Sequence, residues 1–246
     1  MKNPIHKLYL FGTIAACLLI VGAIIPSLSK SHSLQSSKPQ IENKTQQFQA
    51  VSLELNADGD AYELVLKNNY MKPINAYTIG IGPTSRVDVD LTLADRVIAS
   101  GETTKETIPV SKLQAPNNPN QLSPNITILA VMFSDKTGDG DTKAIQRVKD
   151  RHLGAKIQLQ RANAVLDAAL ATSGSITPDT LASIRAQISS LSVEPSQGQS
   201  PMVKSGLQSA QRQVLSELEH SEKDNSDLRG KLHKIKDKLG QRLGNL

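Results

Sequence analysis

The chain has 246 residues, 38% hydrophobic and 3% aromatic, with no tryptophan and a formal net charge of +5. That length allows one large domain or two smaller ones with aliphatic cores. The basic excess, concentrated in the last hundred residues, marks solvated helix faces rather than nucleic-acid binding. Cys17 is the only cysteine, which excludes an intrachain disulfide and a cysteine-rich metal site.

Lys2 and Lys7 precede Leu8–Ile25, eighteen residues without a charge, and beyond Pro26 the chain turns to serine, lysine and glutamine. A basic head, an apolar run and small polar residues make an export signal. At ~1.5 Å per residue the run just spans a bilayer, so residues 1–26 read as a signal anchor, or as a signal peptide cleaved near Ser27 and Ser29. Ile14-Ala15-Ala16-Cys17 suggests lipidation at Cys17 as a third fate, although the apolar residues after it are atypical. The bulk of the chain is expected on the periplasmic or extracellular side. Residues 27–46 lack the apolar content for a core and read as a flexible tether.

Residues 47–135 read as strands. Val87, Val89, Leu91 and Leu93 alternate with Arg86, Asp88, Asp90 and Thr92, a period of two that places one set inside and the other in water. Similar segments run Phe48–Leu55, Tyr62–Lys67 and Ile74–Ile81. Asp95–Ala99 and Thr103–Val110 suggest a further hairpin, and Lys112–Pro124 a loop. Ile126–Phe133 is apolar on both faces, which makes it a central strand or one beneath a helix. Seven short strands without intervening helices predict an antiparallel immunoglobulin-like β-sandwich that needs no disulfide.

The segments Leu66-Lys67-Asn68-Asn69-Tyr70-Met71-Lys72-Pro73-Ile74, Ala76-Tyr77-Thr78 and Arg96-Val97-Ile98-Ala99-Ser100-Gly101-Glu102 resemble those of uncharacterised exported bacterial proteins with an immunoglobulin-like domain. The resemblance covers about a third of the chain. It implies a fold, and it brings no activity and no functional residues.

Asp135-Lys136-Thr137-Gly138-Asp139-Gly140-Asp141 joins the strands to a helix. Asp135, Asp139 and Asp141 are candidate cation ligands, but the third and twelfth positions of a calcium loop are filled by Thr137 and Gln146. The competing reading is a helix start, with Asp141 or Thr142 as cap and Asp139 near its positive end.

The rest is helical in period: two helices in residues 136–192, a linker at 193–200, and one long amphipathic, coiled-coil-like helix over 201–246. His152 falls on the stripe of the first helix, where a lone histidine reads as packed rather than ligating. Thr177-Pro178 starts the second. In the last helix Leu228, Leu232, Ile235, Leu239, Leu243 and Leu246 span an arc of about 80° at 100° per residue, a packing seam rather than a lipid-facing surface. Packed against the first helix, it would overhang by roughly 20 Å, and the exposed stripe would need another protein helix or a second copy to cover it.

The predicted architecture is therefore α+β in several parts: a sandwich followed by a helical region. No nucleophile elbow, phosphate loop or paired-histidine motif appears, and no cofactor is implied. The expected function is that of a non-enzymatic cell-envelope protein, an anchored binding or scaffolding module whose helices contact a partner. Two other readings are a cation-responsive regulatory subunit gated at Asp135–Asp141 and an envelope hydrolase.

Overall fold

The computed structural model describes residues 39–82, 85–115, 118–122, 125–172, 174–222 and 226–246. In chain order the strands are β1 (Gln40–Asn43), β2 (Phe48–Leu55), β3 (Ala61–Asn68), β4 (Ile74–Ile81), β5 (Ser85–Asp90) and β6 (Thr103–Pro109). A short helix α1 (Val110–Leu113) leads to β7 (Gln114–Ala115), β8 (Asn118–Leu122), β9 (Asn125–Phe133) and β10 (Gly138–Gly140). Four helices follow: α2 (Thr142–Ala171), α3 (Pro178–Ser189), α4 (Pro201–Glu222) and α5 (Leu228–Asn245). The chain is α+β, with its four longer helices after the strands.

Alternation builds the first sheet, β2-β3-β6, which is wholly antiparallel. In β3, Tyr62, Leu64 and Leu66 are buried, while Glu63, Val65 and Lys67 point the other way. The second sheet runs β1-β9-β4-β5, with β10 also on β9, and it is mixed because β1 lies parallel to β9. Phe48, Leu64 and Leu66 of the first sheet share one hydrophobic cluster with Tyr77, Ile79 and Ile128 of the second. Across that cluster the Tyr77 hydroxyl donates to the Glu106 carboxylate of β6. Burial, then that carboxylate, raises the Tyr77 phenol well above its ordinary pKa. Among the described residues β7 and β8 pair with each other and with no other strand.

The two apolar faces of β9 have separate uses. Thr78 pairs with Ala130 and Ile79 with Ile128, so Leu129 is left over as a bulge and the inward face switches from Ile126 and Ile128 to Val131 and Phe133. Met132 on the opposite face, with Ala76 of β4, packs against Val148 and Ile145 of α2. The strand is thus both central and beneath a helix.

The sheet also recruits chain from beyond 47–135. The end of the expected tether forms β1, paired with Asn125–Ile128, and its turn is fixed where the Thr45 hydroxyl donates to Asn43 Oδ1 (2.8 Å) and Phe48 O (2.5 Å). After β9, β10 pairs with Ala130–Met132. Gly140 has φ 113°, and a Cβ there would lie 2.3 Å from the Leu129 carbonyl oxygen, so only glycine fits. The expected strand at Asp95–Ala99 is instead a turn, tied to β4 through a single Ile98–Ile74 bridge. Asn68, fully buried, holds that turn: its Nδ2 donates to Lys72 O (2.9 Å), Ile98 O (3.0 Å) and Ala99 O (3.2 Å).

α2 starts where Asp141 Oδ1 accepts the Ala144 amide at 2.9 Å, and α3 where Thr177 Oγ1 accepts the Thr180 amide at 3.2 Å. The single long helix expected over 201–246 is two helices. Asp227 takes a left-handed conformation (φ 45°) and caps α5 by accepting the Gly230 amide at 3.0 Å. α5 therefore folds back on α2. Arg229 fixes the reversal by donating to Leu170 O (2.6 Å) and Thr172 O (3.0 Å) at the end of α2. The overhang derived from one continuous helix does not exist. Leu228, Leu232, Ile235, Leu239 and Leu246 are buried in a core with Leu159, Leu166, Ile184 and Val214, and Leu243 packs on its edge.

α2 and α4 cross closely at Gly154 and Gly206. A Cβ at Gly154 would lie 2.0 Å from Val203 O, and one at Gly206 2.0 Å from Arg151 O. Both obstacles are backbone, so relief requires the helices to separate. Gly154→Ala should cost about 1–3 kcal/mol or more in urea unfolding. Gly240→Ala, where no atom lies within 4 Å of the added methyl, should be neutral or stabilising by up to about 1 kcal/mol. Equal effects at the two sites would contradict this packing.

Candidate binding cleft

The polar face of β5, expected in water, lies under α2. Arg147 Nη2 donates to Asp88 Oδ2 and Arg151 Nη1 to Asp88 O, both at 3.1 Å. His152 Nε2 stands 3.5 Å from Asp90 Oδ2, with the Asp90 side chain only 3% exposed. α2 thus presents two arginines and a histidine to the two aspartates that alternation placed outside. Burial alone would raise the Asp90 pKa, but His152, Arg151 and the Thr92 amide outweigh it and hold the carboxyl below its ordinary range.

A second polar contact joins the strands to the end of the chain. Leu93 leaves the strand region and enters the helical core. Two residues on, Asp95 takes φ 54° and faces Arg242 of α5. Arg242 Nε donates to Asp95 Oδ1 (2.7 Å) and Nη2 to Asp95 Oδ2 (2.6 Å), while Nη2 also meets Glu217 Oε1 of α4 (2.5 Å). Arg242 is 1% exposed, so this bidentate pair sits where few other groups could satisfy the charge.

Each aspartate of the junction has a structural partner. Asp135 pairs with Lys72 and accepts the Thr137 hydroxyl at 2.6 Å. Asp139 Oδ2 accepts the amides of Gln46 (2.7 Å) and Gln47 (2.9 Å), fastening the N-terminal turn to β10 rather than serving α2. Asp141 is the helix cap. Among the described residues no three histidine, cysteine, aspartate or glutamate side chains gather as metal ligands. His152 and His220 meet a carboxylate and a backbone carbonyl.

The proposed contact stripe, Leu228 to Leu246, is corrected in the same way. The chain's own α2, α3 and α4 cover it, because the break at Asp227 lets α5 fold back. The Leu8–Ile25 segment and Cys17 lie outside the described residues. Among the described residues no helix is long and apolar enough to cross a membrane.

One of several open depressions is a cleft of about 330 Å³ between β9, the turn after it, α2 and Leu246. Met132, Leu153 and Leu246 supply its apolar wall, and Lys136, Lys149 and Lys156 stand around it. Asn75 and His152 complete the lining. Lys149, Leu153 and Lys156 share one face of α2, being four and three residues apart. Lys136 comes from the turn, at φ 69°, where its backbone N–H donates to Phe133 O (2.9 Å). None of the three lysines has an ion-pair partner among the described residues. Sequence reading missed this cleft because its parts come from four separate segments. The one local signal was Lys-x₃-Leu-x₂-Lys on a helix.

No protein-family model, no curated protein and no solved structure matches the chain.

The Asp90 geometry sets an acid limb of stability. A carboxyl depressed by folding adds stability that is complete above its unfolded pKa of about 3.9 and is lost as pH falls through the folded value. Asp90→Asn should therefore lower the melting temperature at pH 5, and the gap from the parent should close as pH falls below about 4. A gap independent of pH from 5 to 2 would contradict the depressed carboxyl.

Proposed function

We propose that the chain is a non-enzymatic cell-envelope protein: a binding module held at the membrane by Leu8–Ile25, with an immunoglobulin-like sandwich as its scaffold and a helical layer that completes the binding surface. The observation that carries this reading is how the reactive groups are used. Asp90, His152 and Arg242 are buried in contacts that join helices to strands, and Tyr77 joins the two sheets. The open cleft presents mainly aliphatic side chains and lysines, with Asn75 and His152 beside them, a lining suited to binding and orienting a ligand. The sandwich reading is supported by two antiparallel-rich sheets that share one apolar core, and by Asn68, which links the Lys67-Asn68 and Lys72-Pro73 segments to the Ile98-Ala99 turn. The stripe on α5 is taken up inside the chain, so a partner would meet the open cleft region.

Cell fractionation tests the location. The full chain should sediment with membranes, resist carbonate extraction and be digested by protease added outside the cytoplasmic membrane. Deletion of residues 8–25 should leave it soluble in the cytosol. Recovery of the intact parent from the cytosol would overturn the proposal.

A further inference from the structure

We propose that β2 offers its outer edge to a second copy of the chain, antiparallel, about a two-fold axis at Leu53. This rests on reading the chain as anchored in a membrane, where copies share one plane. β2 ends the β2-β3-β6 sheet, so among the described residues β3 is its one partner strand. The ladder shows which backbone groups are left over. The Asn56 amide donates to Ala61 O (2.9 Å), which makes that pair hydrogen-bonded. Pairs alternate from there, so Leu55 opposite Tyr62 and Leu53 opposite Leu64 direct their N–H and C=O away from β3. At the start of the strand, Phe48 O is already taken by Asn43 Nδ2 (2.9 Å) and Thr45 Oγ1 (2.5 Å). The open stretch is residues 51–55.

The other edges are guarded. β1 has only four residues. β5 lies under α2, whose Arg151 Nη1 donates to Asp88 O. β6 carries Lys105 and ends in Pro109. β2 has no lysine, arginine or proline, and two of its aliphatic side chains stand in water: Val51 is 59% exposed and Leu55 51%. Such an edge is a template for another strand. The sequence of the stretch selects a second copy. Val51-Ser52-Leu53-Glu54-Leu55 read against itself about Leu53 sets Val51 opposite Leu55 and Ser52 opposite Glu54. Leu53 meets Leu53, and the two exchange backbone hydrogen bonds. An axis at Glu54, or a parallel in-register pair, would set carboxylate against carboxylate. The bulge at Val51 interrupts the strand beyond, which confines pairing to this stretch. So small an interface is weak between free molecules, and anchoring in one membrane raises the effective concentration at which copies meet.

The test is disulfide cross-linking of the full chain, carrying Cys17→Ser, in proteoliposomes. Val51→Cys and Leu55→Cys are made separately, and each is oxidised alone and mixed with the other. The mixture should cross-link several-fold more than either variant alone. Two copies of position 51 lie four residues apart along the pair, ~13 Å at about 3.3 Å per residue, too far for a disulfide. Ser52→Glu, which faces Glu54 across the axis, should lower the mixed yield several-fold, and Ser52→Lys should keep or raise it. Melting temperatures of both variants check folding, and the lysine variant carries the comparison with the parent if the glutamate variant is unstable. Absence of cross-linking, equal yields in mixed and single samples, or a yield indifferent to the charge at residue 52 would overturn the pairing. Fractionation tests the anchor separately, so a membrane-held chain that does not cross-link refutes the pairing alone.

Discussion

A guanidinium almost wholly removed from water sets the architecture. Arg242 lies near the end of α5, yet its charge is met by Asp95 in a turn of the strand region and Glu217 in α4. Leaving such a charge without its partner costs about 3–5 kcal/mol, a large part of the stability of a single domain. Helices and strands are therefore coupled by necessity. The same turn sends Leu93 into the helical core, so the polar contact is framed by apolar burial. Between Asp95 and α2, Asp88 and Asp90 meet Arg147 and His152, and a sheet face patterned for water becomes an interface.

That coupling explains what the sequence could and could not disclose. The strand at Tyr62–Lys67 was legible because alternation is local, and the starts of α2 and α3 because caps lie within three residues of what they cap. The polar face of β5 misled for a physical reason. Alternation reports two unlike faces, but not whether water or an arginine-bearing helix covers the polar one. The tether was misjudged at Gln40–Asn43 because an edge strand gains its pairing from β9 rather than from its own composition. The run Lys223-Asp224-Asn225-Ser226-Asp227 before Gly230 was a visible stop signal within the supposed long helix. With it missed, a stripe buried against α2 looked like a surface in need of a partner. Asp95 and Arg242 stand 147 residues apart, and nothing in either neighbourhood names the other.

The cleft is a by-product of the same docking. α2 lies over Met132 while α5 ends beside it, and the lysines of α2 that do not face β5 are left around an aliphatic wall. Asp90 is turned toward His152 of α2, and Arg242 toward Asp95 and Glu217.

The central claim is that helices and strands are one energetic unit through Asp95 and Arg242. A double-mutant cycle measures it directly: urea unfolding of the full chain as parent, Asp95→Ala, Arg242→Met and the double variant. A coupling energy above about 1 kcal/mol is expected, because Arg242 is buried while Asp95 is partly exposed. Additive effects, within about 0.5 kcal/mol, would show that the two residues act independently and would contradict it.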